Sequence, residues 1–508
     1  MELISYINKM DMTDENDTKI KPHSLENHIK VETNERKESP SERRIRYAKQ
    51  LTKVFAAVVG HLSLGMALGW PNVLASGLQT SNSTLFGTQI HFEDWEVDMA
   101  GGMLFFATLP GFVCSGWIVA RIGRRKSMML VAVPGVVGWA LVLLAINPPM
   151  VLVGRFVGGL CYALLGASVR TYLAEISDTS IRGAVSLTTE VMKSIGVITV
   201  IGLGMILTWY YVAAMILGHL LFYGACVVPF LPESPTYLVV CNREEEARQL
   251  LRRLRGPNVD LDEEIRHLRE MNTNRASSNE CSGVFTRDVL KRCMVIFGLF
   301  LISNFCSTEV IKANAMRMLQ TSGLALDKDV STILVFVLLL TGNVMQALIL
   351  DKIGRRKCIV VSLILIMLSY VILGAYTFLS SSDIDIVPLE TERNITTLQA
   401  DESSFAGISW SWLPTVCLMT AAFAISLGIG PIPWLLSVEY FPTNIRSQVM
   451  GLCNAVGNLF SFASLQIYSP MQTLLTPAGL YWSYASFATI GIVYTFFIVT
   501  ETKGKNIG

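Results

Sequence analysis

Apolar residues in this chain come in long, nearly unbroken runs, not at the spacing of an amphipathic surface helix. A helix that crosses a bilayer needs about 20 predominantly apolar residues, and runs of that size lie near 53–74, 99–120, 128–146, 150–172, 185–209 and 211–231. A charged stretch over 232–292 interrupts them, and six more follow near 293–316, 331–350, 358–378, 412–434, 449–469 and 479–499. The pattern predicts an all-α membrane protein with twelve transmembrane helices in two sets of six. It divides the chain into a polar tail over 1–46, a first bundle over 47–231, a linker with short helices over 232–292, a second bundle over 293–500 and a short tail over 501–508. The first tail is poor in apolar periodicity and lacks the apolar core of a signal peptide, so disorder is expected there.

The halves repeat one another. Arg121-Ile122-Gly123-Arg124-Arg125-Lys126 returns as Lys352-Ile353-Gly354-Arg355-Arg356-Lys357, each between two apolar runs. Glu175 and Arg182 after the fourth run match Glu439 and Arg446 after the tenth, at the same separation. Duplication within a membrane protein points to a transporter. A glycine in each arginine turn permits a tight reversal. The arginines can pair with carboxylates at neighbouring helix ends, forming a latch that opens when the halves rock apart. Simple positive-inside anchoring would explain the arginines but not the matched acids.

Composition agrees with lipid as the main solvent: 51% of the 508 residues are hydrophobic, 16% are charged, and the mean hydropathy is +0.46. A net charge of +1 gives no reason to expect a nucleic-acid partner. Its distribution sets orientation, because loops rich in Lys and Arg stay inside. Arg43, Arg44, Arg46 and Lys49, both arginine turns, Arg252, Arg253 and Arg255, and Lys503 and Lys505 fall on one side, whereas 72–97 has neither Lys nor Arg. Both termini are therefore expected in the cytoplasm. Asn82 and Asn394 head sequons in outside loops and are glycosylation candidates, while the sequon at Asn16 falls inside. The ten cysteines show no CxxC pair and the six histidines no HExxH spacing. No metal site, cofactor motif or catalytic dyad is expected.

Several ordered motifs carry a family resemblance. Val153-Gly154-Arg155-Phe156-Val157-Gly158-Gly159, Tyr172-Leu173-Ala174-Glu175-Ile176, Pro232-Glu233-Ser234-Pro235, Gly430-Pro431-Ile432-Pro433-Trp434 and Glu501-Thr502-Lys503-Gly504 closely resemble the sugar porter family of the major facilitator superfamily. Within it the chain is most similar to the insect facilitated trehalose and hexose transporters. The resemblance covers about 47–508 and implies two bundles around a central path that opens alternately to each side. It implies that Arg124, Arg155, Glu175, Arg182, Asp351, Arg355, Glu439 and Arg446 control the inside gate. It favours the plasma membrane, with a small-molecule sugar and the lipid bilayer as partners.

The substrate positions depart from the family. Relatives carry an amide-rich stretch in the seventh span, where this chain has Ser303, Asn304 and Glu309. Ile201 and Leu339 occupy places where a polar contact is expected, with Asn343 one turn from the latter. Trp434 is retained, and Asn458 stands near an Asn-Trp pair without its tryptophan. The substrate candidates are thus Trp434, Asn304, Ser303, Glu309 and Asn458: an aromatic face for a sugar ring, with polar groups for its hydroxyls. Arg170, Glu190 and Lys193 suggest an Arg170–Glu190 pair or a triad, and Glu309 and Lys312 share a helix face. The first span lacks a carboxylate over 58–70, which favours downhill uniport. Three readings stay open: facilitated transport of trehalose or a hexose, transport of a different polar or charged solute, and a nutrient receptor that does not transport.

Overall fold

The structure is a computed structural model that describes residues 40–80, 83–177, 182–255, 262–266, 268–270, 286–321, 328–382, 412–441 and 446–501. Among these residues the chain is helical, apart from turns and one antiparallel bridge between Ser83 and Gln89. Asn82 and Asn394 lie outside the described residues, as do the side chains of Arg182, Asp351 and Arg446.

In the first half, α1 (Pro40–Val58) leads into α2 (Gly60–Thr80), followed by α3 (Asp94–Ile122), α4 (Arg124–Leu130), α5 (Ala132–Leu143), α6 (Pro148–Ile176), α7 (Arg182–Gly204) and α8 (Trp209–Phe222). The expected tail boundary at 46 falls inside α1, so helix begins earlier than the polar composition suggested. The linker contributes α9 (Pro235–Val240) and α10 (Glu244–Arg255). The second half contains α11 (Arg287–Phe305), α12 (Thr308–Thr321), α13 (Lys328–Ile353), α14 (Arg355–Ser382), α15 (Leu413–Leu427), α16 (Ile432–Glu439), α17 (Arg446–Gln466) and α18 (Tyr468–Phe497).

Nine helical stretches among the described residues are long and apolar enough to cross a membrane. The fifth, eleventh and twelfth expected spans coincide with α7, α17 and α18, which are 23, 21 and 30 residues long. Local chemistry sets several boundaries. Asn147 caps α6 by accepting from the Met150 amide at 3.1 Å, and Pro148 occupies the first turn, where its missing N–H costs nothing. Gly123 and Gly354, at φ 94° and 98°, make the reversals that start α4 and α14. Outward faces leave Val113, Trp117, Ile206 and Phe230 exposed, as suits a surface in contact with lipid.

Two expected spans are broken. The seventh divides between α11 and α12 at Ser307, whose φ is 71°. The tenth divides between α15 and α16 at Gly428–Pro431. Irregular backbone at membrane depth is tolerated where protein satisfies its polar groups. Buried Ser362 does so at the tenth span, accepting from the Ile429 amide at 3.1 Å and donating to the Ala424 carbonyl at 2.7 Å.

Within the first half α3 packs on α6 and α2 on α7. The second contact is backbone against backbone: a Cβ on Gly65 would stand 1.9 Å from the Lys193 carbonyl oxygen, and one on Gly196 would stand 2.2 Å from that of Leu62. In the second half α14 packs on α18 and α13 on α15, while α3 against α17, α7 against α13 and α2 against α12 join the halves.

Candidate functional site

The break in the seventh span gathers most of the substrate candidates. Asn304, at the end of α11, donates to the Phe300 carbonyl at 2.9 Å and accepts from Ser461 of α17 at 2.8 Å. Its amide also lies 3.5 Å from the Gly457 carbonyl, beside Asn458. Ser303 meets Thr308 across the break, hydroxyl to hydroxyl, at 3.2 Å. Trp434 of α16 stands edge-on to Phe300 with ring centroids 4.6 Å apart, which places the indole one helical turn from Asn304. Ser303, Asn304 and Asn458 are all buried, and in this state their polar groups are taken up by neighbouring protein atoms: Thr308 for Ser303, the Phe300 carbonyl and Ser461 for Asn304, and the Asn454 carbonyl for Asn458. Glu309 and Lys312, on the next turn of α12, form an ion pair at 2.7 Å.

Two expected contact positions are buried apolar side chains: Ile201 is 4% exposed and Leu339 5%. Glu190 and Lys193 of α7 are instead partly open, with side chains 46% and 24% exposed, and they pair at 2.6 Å. The anticipated Arg170–Glu190 pair does not form. Lys193 follows Glu190 by three residues on the same helix face and reaches the carboxylate first, while Arg170 donates to the Gly166 carbonyl of its own helix at 3.0 Å. Among the described residues no group of three or more His, Cys, Asp or Glu side chains gathers as metal ligands.

Both arginine turns are built alike. Arg124 pairs with Glu175 at 2.6 Å, joining α4 to α6, and Ser234 donates to the same carboxylate. Arg355 pairs with Glu439 at 2.9 Å, joining α14 to α16. Each turn has a second acid that sequence reasoning did not assign. Glu233 accepts the backbone N–H groups of Arg124 and Arg125 at 3.0 and 3.1 Å, and Glu501 accepts those of Arg355 and Arg356 at 2.9 and 3.1 Å. Their equivalent places after each sixth span were the available signal. Nearby, burial raises the pKa of the Tyr440 hydroxyl above its ordinary value, which keeps it a neutral donor to the Thr500 carbonyl at 3.0 Å.

Arg155 stands apart from this set. It lies twenty residues from Glu175 on α6, about 30 Å along the helix. There it is buried, donating to the carbonyls of Ala100 and Ala67, both at 2.8 Å, beneath the rings of Trp70 and Trp139. Its position ties α6 to α2 and α3 at the end remote from the arginine turns.

A second unassigned constellation closes that remote end between the halves. Arg317 of α12 pairs with Asp98 of α3 at 2.7 Å and with Asp94 at 3.4 Å, and it donates to Ser469 at 3.1 Å. The other Asp98 oxygen accepts the Ser469 amide at 3.0 Å, and the Asp98 side chain is fully buried. Asn72 of α2 reinforces the junction by donating to the Lys312 carbonyl at 2.7 Å. One signal was visible: Arg317 is a basic residue at the end of a span where positive charge is disfavoured.

Two packed helical halves, duplicated arginine turns and a discontinuous helix between them define a membrane transporter of the major facilitator fold. Residues 54–507 match the family described as sugar (and other) transporter, and the chain belongs to it. The family is one of transporters, not enzymes. The chain is 28% identical over 469 residues to the facilitated trehalose transporter Tret1 of Bombyx mori, covering 90% of this chain and 85% of that one. It is equally similar to Tret1 of Drosophila virilis, again over 90% of this chain but spanning only 48% of that longer protein. Among solved structures, the inward open conformation of the xylose transporter XylE from E. coli superposes with a TM-score of 0.69 at 18% identity, covering 90% of this chain and 98% of that one. The proton:xylose symporter XylE bound to 6-bromo-6-deoxy-D-glucose gives 0.67, also at 18% identity, covering 91% of this chain and 98% of that one. At that identity the shared property is the fold.

Proposed function

We propose that this chain carries a sugar, trehalose or a hexose, downhill across the plasma membrane by alternating access, with both termini cytoplasmic. One observation carries the reading. A polar and aromatic cluster at a broken helix, Trp434 with Asn304, Ser303 and Asn458, lies on the inner side of a buried ion pair, Asp98–Arg317, that joins the two halves. The Asp98–Arg317 junction is the outer gate, closed here, and the Arg124–Glu175 and Arg355–Glu439 pairs brace the inner ends of the two halves. Trp434 stacks on the ring, while the amides and hydroxyls exchange their present partners for sugar hydroxyls. Relatives named as trehalose and xylose transporters support a sugar. The absence of a carboxylate over 58–70 supports uniport. Uptake of labelled trehalose and glucose by cells expressing the chain tests this: saturable uptake whose apparent affinity Trp434→Ala weakens supports it, and uptake equal to an empty-vector control at confirmed surface expression overturns it.

The ion pairs Glu309–Lys312 and Glu190–Lys193 favour a second reading, a polar or charged solute that is not a simple sugar. Glu309→Asn with Ser303→Gln restores amide chemistry. A gain of sugar uptake in that variant would favour this second reading, and unchanged uptake would count against it.

A further inference from the structure

A cavity of about 680 Å³ opens beside the Gly123 turn, away from the substrate path. Arg125 and Lys126 of α4 line it together with Cys241, Arg243 and Arg253 of the linker. Its size falls within the roughly 300–1,000 Å³ of small-molecule sites. Two carboxylates also face it, and both are occupied. Glu233 accepts the amides of the arginine turn at 3.0 and 3.1 Å, and Glu246 takes both its bonds from Arg243, at 2.8 and 2.6 Å.

Three cations are left without a carboxylate partner among the described residues: Arg125, Lys126 and Arg253. The Arg125 guanidinium reaches only the Pro229 carbonyl, at 2.6 Å, and its buried Nε has no partner. Lys126 and Arg253 are exposed. The repeat in the second half shows which part of this belongs to the turn itself. There Arg356 donates to the Phe496 carbonyl as Arg125 does to Pro229, and Glu501 replaces Glu233. What the first copy adds is the cationic wall of α10.

Convergent guanidinium and ammonium groups are the chemistry that recognises phosphate oxygens, the arginines through paired N–H donors and the lysine as a point charge. Met129 and Leu250 add apolar lining, and Arg125 and Lys126 open the third span, at the depth of lipid headgroups. We infer that this pocket binds a phosphate-bearing anion at the cytoplasmic face and thereby ties the linker helix α10 to the first bundle. The anion is either the headgroup of an inner-leaflet lipid or a soluble phosphate compound. The cytoplasmic placement rests on the orientation proposed above; the pocket does not depend on the identity of the transported solute.

Cys241 provides a local reporter, because it is exposed and lines the pocket, and a Glu245→Cys substitution, at an exposed position of α10 outside the pocket lining, supplies a reference thiol. The full chain is placed in nanodiscs of phosphatidylcholine alone, of phosphatidylcholine with phosphatidylinositol 4-phosphate, or of phosphatidylcholine with inorganic pyrophosphate in the buffer. Alkylation of each cysteine by a neutral maleimide is then followed by peptide mass spectrometry. The expected result is a slowing at Cys241 of about tenfold at nine-tenths occupancy, with labelling at Glu245→Cys unchanged, and loss of that protection in Arg253→Glu. The milder double variant Lys126→Gln/Arg253→Gln should lose it too, which covers the case where charge reversal impairs folding. Protection by the lipid alone identifies a headgroup site, and protection by pyrophosphate identifies a soluble ligand. Unchanged Cys241 labelling in both arms, or equal protection in the variants, overturns the proposal. Labelling of Cys241 on intact cells by a membrane-impermeant reagent would separately overturn the orientation, and absent sugar flux would bear on neither result.

Discussion

Arg317→Ala should release the outer gate. The substitution leaves the Asp98 carboxylate, fully buried in this state, with only Ser469 as a donor, through its amide and its hydroxyl. Removing one partner of a buried pair costs about 3–5 kcal/mol. The low end applies here, because the Ser469 amide remains and Arg317 itself is 16% exposed. About 3 kcal/mol corresponds to roughly two orders of magnitude in an equilibrium constant. The cost falls on the outside-closed state alone, since separating α3 from α12 gives Asp98 back to water, so the population shifts towards outside-open by that factor. Spin labels at Trp95→Cys and Leu474→Cys, both exposed positions on opposite halves, report the opening in a background where Cys114 and Cys241 are serine. The label separation should lengthen in Arg317→Ala and lengthen less in Asp98→Asn, which keeps an acceptor without the charge. The double variant Asp98→Asn/Arg317→Gln should cost less than the sum of its parts, because neither charge is then stranded. An unchanged distance distribution in Arg317→Ala would refute the latch.

Trp434→Ala should weaken apparent sugar affinity about 10- to 100-fold, the equivalent of losing a buried aromatic face worth roughly 1.5–3 kcal/mol, read from the concentration dependence of uptake. Gly65→Ala should lower the thermal unfolding temperature of the purified protein, since the new methyl meets the Lys193 carbonyl and overpacking costs about 1–3 kcal/mol; an unchanged transition would mean that α2 and α7 do not pack as closely as described. Glu233→Gln and Glu501→Gln should each weaken charge-assisted acceptance of two backbone amides by about 1–3 kcal/mol. Because the two turns are built alike, the two variants should show similar losses in unfolding temperature, and a large inequality would contradict the equivalence.

The spans and the duplicated turns could be read from the chain because each depends on local information: a run of apolar residues, or a glycine between arginines. The pairs Arg124–Glu175 and Arg355–Glu439 were likewise anticipated as sets of acids and bases, since the repeat itself matched them, but each lies within one half and does not bridge the two as the expected latch would. The Asp98–Arg317 pair was not, because the two residues are 219 apart in sequence and are brought together only by packing between the halves. Arg155 shows the reverse difficulty. Its motif resembles one associated with the inner gate, but eight residues from the start of α6 it can only reach the carbonyls of α2 and α3. The break at Ser307 carries no Gly or Pro to announce it, whereas the tenth span shows Gly428, Gly430 and Pro431 at its break. Glu190 pairs with Lys193 and not Arg170 because an i,i+3 neighbour on one helix needs no tertiary alignment.

Flux of labelled trehalose and glucose into proteoliposomes holding the purified chain, measured with and without an imposed proton gradient, tests the central claim most directly. Saturable entry of one of these sugars, independent of the gradient and with its half-saturating concentration raised in Trp434→Ala, is the predicted result. Entry of neither sugar above protein-free vesicles, from protein shown to be folded and reconstituted, would contradict it.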